Sequence, residues 1–208
     1  MTRPSLVSAT RAVAERDRDL ARLIEQAGPM RLPPPRNPDR FVELAESICY
    51  QQLAGRAAAA IWGRVVTLFP GGITPESVAA MPDERLRAAG LSGAKLASIK
   101  DLAAKVLDGT VPLDRIARLT DAAVIERLSV VRGIGNWTAE MFLIFTLRRL
   151  DVWPVDDYGV RAGWALIKTR TEPPRPRDLE PEGDPFRPYR TVVAWYCWRA
   201  VHLSRGQP

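Results

Sequence analysis

Residues 130–160 read VVRGIGNWTAEMFLIFTLRRLDVWPVDDYGV, and the order of features in this stretch decides the fold. One helical pattern ends at Leu128 and Gly133-Ile134-Gly135 makes a tight turn. A second helical pattern runs over 138–149 with Met141, Phe142, Ile144 and Phe145 on its apolar side. Two helices joined by such a turn form a helix-hairpin-helix. Glycine at 133 and 135 keeps Cβ atoms away from the backbone N–H groups, and the start of the next helix adds the positive end of its dipole. A phosphate suits that geometry, and the contact carries no base information. Further on, Pro154-Val155-Asp156-Asp157 sets an acidic pair immediately before another helical pattern.

The rest of the chain is also helical in its periodicity. Residues 8–27 read as one helix with Leu20, Leu23 and Ile24 on one side, followed by a linker over 28–38 that carries Pro29, Pro33, Pro34, Pro35 and Pro38. Helical patterns follow at about 40–52, 55–69, 75–80, 83–89, 94–108, 112–117 and 121–129. After the acidic pair, 158–169 is helical, 172–188 is a proline-rich excursion, and 189–203 is a closing helix rich in aromatics. Alternating strand patterns are almost absent, so the fold class is all-α. Neither internal repeats nor a Rossmann or Walker glycine signature is present.

Composition narrows the function. Thirty basic against 24 acidic residues give a formal charge of +6, which favours a polyanionic partner over an acidic small substrate without requiring nucleic acid. Two cysteines, Cys49 and Cys197, stand far apart with no CxxC. That excludes a disulfide framework and a zinc or iron–sulfur site and predicts two buried thiols. The single histidine, His202, supports no His-based metal site. No apolar run reaches the length of a membrane span, and the N-terminal residues lack the apolar centre of a secretion signal. The expectation is a soluble intracellular protein.

The hairpin VRGIG, Trp137 just after it, and Pro154-Val155-Asp156-Asp157 together resemble the helix-hairpin-helix, glycine/proline-rich, aspartate (HhH-GPD) superfamily of DNA glycosylases, and within it the 3-methyladenine DNA glycosylase II branch. Glu46-Ser47-Ile48-Cys49-Tyr50-Gln51-Gln52-Leu53-Ala54 is similar to that branch's helix ending in a glutamine-containing loop, and Gly90-Leu91-Ser92-Gly93-Ala94-Lys95 to its first hairpin. The likeness spans about residues 30–202; each piece is weak alone and the ordered set is specific. It departs from relatives that carry a four-cysteine cluster. The resemblance implies two packed helical subdomains, 32–149 as the bundle holding the hairpin and 1–31 with 150–208 as a discontinuous second one, with an active-site cleft between them.

Site residues follow from the same resemblance, each beside a plainer reading. Asp157 is the expected catalytic carboxylate: excision of a base passes through a cation-like sugar, which a carboxylate stabilises while it orients or deprotonates water. An aspartate before a helix is also a common N-cap, but Trp137 and Asp157 are separated by the family's interval, leaving Asp156 as the expected cap or solvent-facing neighbour. Trp137, Trp198 and Tyr50 are the expected base-pocket aromatics, against the alternative of core packing. Trp137 stands where bifunctional relatives place a Schiff-base lysine, so strand cleavage by that route is not expected.

Gly133, Gly135, Arg132, Thr138 and Lys95 are expected to contact DNA, as are Gln51, Gln52 and Leu53 in a loop that wedges into the duplex; Arg161 could also reach a phosphate. The carbonyls of Ser129, Val131 and Gly133 match positions that hold a monovalent cation, Na+ or K+, in related hairpins; no other cofactor is implied. The reading is a monofunctional glycosylase for alkylated purines such as 3-methyladenine and 7-methylguanine. It would act as a monomer on damaged double-stranded DNA, away from membranes, in the cytoplasm or on a bacterial nucleoid. A glycosylase for mispaired or oxidised bases and a non-catalytic helix-hairpin-helix DNA-binding module remain open as alternatives.

Overall fold

The structure, a computed structural model, describes residues 5–35 and 37–206. Residues 1–4 of the N-terminal reading, Arg36 of the proline linker and residues 207–208 of the second subdomain lie outside the described residues. The elements in order are α1 (Leu6–Ala14), α2 (Arg18–Ala27), α3 (Arg40–Tyr50), α4 (Gly55–Thr67), α5 (Pro75–Ala80), α6 (Asp83–Ala88), α7 (Gly93–Leu107), α8 (Asp121–Ser129), α9 (Asn136–Met141), α10 (Tyr158–Ile167), α11 (Pro176–Leu179) and α12 (Arg190–Ser204). Two 3-10 segments lie at Ile116–Arg118 and Glu180–Phe186. No strand occurs among the described residues, and the all-α reading holds.

Four sequence expectations change. The single helix over 8–27 is two helices, because the Asp17 carboxylate accepts hydrogen bonds from the amides of Asp19 and Leu20, both at 3.0 Å, and so starts α2 anew. The pattern at 112–117 yields only the 3-10 turn Ile116–Arg118. The excursion over 172–188 is not irregular throughout, since Pro176 occupies the favoured first position of α11.

The helix after the hairpin does not reach 149. Past Met141 it continues as one π-helical stretch, Phe142–Thr146, and ends before Arg148, whose φ is 60°. A π turn is wider than an α turn and shifts the phase of every later side chain. Leu143 is fully buried, while Phe145, expected inside, is exposed.

The chain divides into two compact units, Pro34–Leu147 and the described residues of Met1–Pro33 with Arg148–Pro208. In the first, α3 packs on α4, α7 and the π-helical turn, α5 and α6 pack on α7, and α8 packs on α9. Leu44, Ile48, Leu86, Leu91, Leu102, Ile116, Leu128 and Ile144 are fully or almost fully buried there. In the second, α12 is the central element. Its buried Thr191, Val192, Val193, Ala194, Tyr196, Cys197 and Ala200 cover most of its circumference, as they must in a helix that packs against α1, α2, α10 and the second 3-10 segment. Trp164 meets Trp153 and Phe186 edge-to-face at 5.9 and 6.0 Å, which orients the aromatic part of this core.

Candidate functional site

Within the unit Pro34–Leu147, the hairpin is built by short backbone bonds: the Val131 amide donates to the Leu128 carbonyl and the Ile134 amide to the Val131 carbonyl, both at 3.0 Å. Val131 and Ile134 are buried and anchor the turn. Gly133 sits at φ 78°, where L side chains are strained, and a Cβ there would lie 2.6 Å from Ser98 Oγ. Gly135 is the N-cap of α9 in ordinary extended backbone, and nothing lies within 4 Å of where its Cβ would be. Among the described residues no atom lies close enough to require glycine at 135. Its bare backbone leaves the first turn of α9 without a side-chain cap, the arrangement that receives an anion.

Several residues expected at the DNA make bonds within the protein. Thr138 is buried. Gln51, expected in the wedge loop, donates its Nε2 to the Gly133 carbonyl at 3.0 Å and to Thr138 Oγ1 at 3.4 Å, and so braces the hairpin. Lys95 donates its Nζ to the Cys49 carbonyl at 2.6 Å and caps the C-terminal end of α3, where a cation complements the dipole. Gln52, at φ 56°, and Leu53, 39% exposed, are the outward members of the loop. Trp137 is 45% exposed, which rules out the reading of a core tryptophan under the hairpin. Tyr50, the last residue of α3, is half-buried.

Arg132 is exposed, and its backbone amide donates to Asp101 Oδ2 at 2.7 Å. Burial pushes the Asp101 carboxyl up, but the Arg132 amide and the Lys105 ammonium outweigh it and hold the group below the usual carboxylate range. An alkali cation suits the neutral carbonyls of Ser129, Val131 and Gly133 in donor type. It would be a second partner for two of them, since Val131 O accepts the Ile134 amide and Gly133 O accepts Gln51. Among the described residues no group of His, Cys, Asp or Glu side chains could hold a metal ion.

Asp157 belongs to the other unit. The chain reaches it along a path pinned at each step. Asp151 takes a two-point ion pair from Arg190, Nε to Oδ1 at 2.8 Å and Nη2 to Oδ2 at 3.0 Å. Buried Thr191 Oγ1 donates to the Arg149 carbonyl and accepts the Val152 amide, both at 2.9 Å. Trp153 Nε1 donates to the Leu179 carbonyl at 3.1 Å, and the Asp157 amide closes a turn onto the Pro154 carbonyl at 3.0 Å.

Asp157 itself, not Asp156, is the N-cap of α10: its Oδ1 accepts the Val160 amide at 2.8 Å. The same oxygen accepts Trp198 Nε1 at 2.9 Å. Two donors on one oxygen fix the plane of the carboxyl group and hence the direction of the other oxygen. Asp156 is exposed, as expected for a solvent-facing neighbour. Trp198, expected as a pocket wall, is half-buried and reaches the carboxylate through its N–H. Arg161 donates Nη1 to the Pro174 carbonyl at 3.4 Å and lies 5.5 Å from the Tyr158 ring centre. Cys49 and Cys197 are buried thiols, and burial, reinforced by the Asp157 charge, pushes Cys197 well above the ordinary thiol range.

Fold and site together define an all-helical helix-hairpin-helix protein with a fixed carboxylate twenty-odd residues beyond the hairpin. A family model described as HhH-GPD superfamily base excision DNA repair protein matches residues 45–188, and the chain belongs to that family. It is 34% identical to DNA-3-methyladenine glycosylase 1 of Schizosaccharomyces pombe, over 96% of this chain and 90% of the relative. A solved structure of the S. pombe 3-methyladenine DNA glycosylase in complex with abasic DNA superimposes with a TM-score of 0.81 at 33% identity, covering 92% of this chain and 95% of that one. A DNA-3-methyladenine glycosidase from Bacillus halodurans superimposes with a TM-score of 0.87 at 36% identity, covering 96% and 92%.

Proposed function

We propose that this protein is a monofunctional DNA glycosylase that removes alkylated purines by hydrolysis. The observation that carries the reading is the Asp157 carboxylate, held on one oxygen by the Val160 amide and the Trp198 indole in a chain of this family. In the proposed reaction the C1′–N bond breaks with its electron pair passing to the base. A base alkylated at N3 or N7 carries a positive charge and so leaves neutral, which lowers the need for an acid catalyst. Asp157 stabilises the cation left on the sugar and takes the proton of the water that adds to C1′. The products are free base and an abasic site.

The other residues take sequence-independent parts in this reading. The amides at the start of α9, with Gly133 and Gly135, grip a phosphate, and an alkali cation on the Ser129, Val131 and Gly133 carbonyls would add positive charge there. Gln52 and Leu53 fill the space left in the duplex by an extruded nucleotide. Trp137 offers an indole face, which favours a cationic base by roughly 0.5–2 kcal/mol, enough to bias selection without excluding neutral bases. All these residues come from one chain, so a monomer suffices, and the substrate would place it in the cytoplasm, on the nucleoid in a bacterium.

The test is a panel of duplexes scored for released base and for strand breaks with and without alkali. Release of 3-methyladenine or 7-methylguanine well ahead of uracil and 8-oxoguanine, with breaks only after alkali, is the expected result. A covalent adduct trapped by borohydride, or a preference for neutral oxidised bases, would overturn it; no release from any lesion would leave a DNA-binding module.

A further inference from the structure

Glycine is disfavoured inside a helix, so Gly159 in the first turn of α10 needs a reason. The backbone supplies none, since Gly159 is absent from the positive-φ glycines. The reason is space. A Cβ at 159 would lie 2.9 Å from Trp198 Cδ1, 3.0 Å from Asp157 Oδ1 and 3.2 Å from Trp198 Nε1. These three atoms include both ends of the hydrogen bond that holds Asp157.

One turn further along α10, Gly163 offers a contrast. A Cβ there would strike the backbone of Cys197, at 1.9 Å from its carbonyl oxygen, so Gly163 serves the packing of α10 against α12. At Gly159 every close atom is a side-chain atom of Trp198 or Asp157. Asp157 cannot yield easily, because its carboxylate also caps α10 through the Val160 amide. The indole would have to move, and Cδ1 lies in the ring's inner part next to the Cβ attachment, where a small rotation gives little relief.

We propose that Gly159 is a positioning residue for the excision reaction: its missing side chain leaves the room in which the Trp198 indole donates to Asp157 and fixes the direction of that carboxylate. The inference rests on Asp157 being the catalytic carboxylate. A methyl group at 159 crowds the indole most, at 2.9 Å from Cδ1, and separates donor from acceptor while the carboxylate keeps its charge. The carboxylate then loses the restraint supplied by the indole, and the reacting oxygen loses its aim.

The experiment uses Gly159→Ala, Trp198→Phe and the double variant in the full chain. In DNA-free protein, the Trp198 indole N–H resonance, assigned by its disappearance in Trp198→Phe, should move upfield in Gly159→Ala as its charged acceptor is lost. Single-turnover release of 3-methyladenine should fall roughly ten- to a hundredfold in either variant, the size expected for one hydrogen bond to a charged group. The double variant should fall no further than the worse single one, and affinity for abasic DNA should hold within about twofold, as a loss of aim alone predicts. An unmoved resonance, a moved resonance with an unchanged rate, or losses that multiply in the double variant would each overturn the proposal. Should Gly159→Ala melt below assay temperature, Trp198→Phe adds no atom and decides alone: a wild-type rate overturns the inference. The resonance is read without substrate, so a failure of the catalytic reading, seen as an active Asp157→Asn, is distinguishable from a failure of this one.

Discussion

Asp157→Asn and Asp157→Ala should separate the two duties of one carboxylate. Asparagine keeps an oxygen for the Val160 amide and the Trp198 indole, which lie at 2.8 and 2.9 Å, and removes only the charge. A unit charge about 4 Å from a cationic sugar, in a half-buried site of effective dielectric about 20, is worth about 4 kcal/mol. That corresponds to about a thousandfold in the rate of base release. Alanine should lose the same rate and also the cap and the indole's acceptor, each about 1 kcal/mol, for a total of about 2 kcal/mol. In a chain of this length that lowers the melting temperature by about 4–8 °C. Single-turnover release of 3-methyladenine, affinity for abasic DNA and calorimetry on both variants provide the readings. Asp157→Asn with a rate within tenfold of wild type would refute the electrostatic argument, and Asp157→Asn melting as low as Asp157→Ala would refute the cap argument.

Gly133→Val places a branched side chain at φ 78° against Ser98 Oγ and should cost about 2 kcal/mol. Affinity should fall equally for all duplex sequences, with a shallower salt dependence; unchanged affinity and salt slope in a folded variant would show that the hairpin does not grip phosphate. Gln51→Ala removes the brace on Gly133 and Thr138, worth about 1 kcal/mol, and should speed hydrogen exchange of the hairpin amides; unchanged exchange there would mean the brace is idle. Asp17→Asn probes pH dependence. Burial pushes the Asp17 carboxyl up, but Lys168 and the Leu20 and Asp19 amides outweigh it and hold it below its ordinary value. The lowered group favours folding above about pH 4 and loses that contribution as pH falls through its folded value. The variant, which keeps a cap, should therefore melt about 2–4 °C lower at pH 7, with the gap closing below pH 4; a gap that stays constant with pH would remove Lys168 from the account.

Much of the fold was legible because periodicity and caps are local. The helical patterns read at 75–80 and 121–129 are the helices Pro75–Ala80 and Asp121–Ser129, each started by a threonine cap, Thr74 or Thr120. What was not legible depends on atoms distant in sequence. The π turn after Met141 leaves no mark in composition, and Phe145, on the apolar side by periodicity, is exposed. Gln51 and Lys95 have the polarity of DNA-contacting residues, and only the folded chain shows that Gln51 donates to the Gly133 carbonyl and Lys95 to the Cys49 carbonyl. The pair Gly159 and Gly163, four apart on one helix face, was the readable sign of close approach by another element, but the sequence does not say which.

The cap on Asp157 does not compete with the proposed catalytic role of that residue. Capping and catalysis looked like alternatives, with Asp156 left to take the cap. A cap, however, is what a catalytic carboxylate needs: a free aspartate has two rotatable bonds, and each unproductive rotamer reduces the fraction of molecules ready to react. The Val160 amide restrains the side chain from below and the Trp198 indole restrains it from α12, so the charge is aimed before substrate arrives. Asp156 makes the comparison within the same dipeptide: it has the same functional group and is exposed. If aim is what distinguishes the two, a charge at 156 cannot replace one at 157, and Asp156→Asn should leave base release near the wild-type rate while Asp157→Asn abolishes most of it.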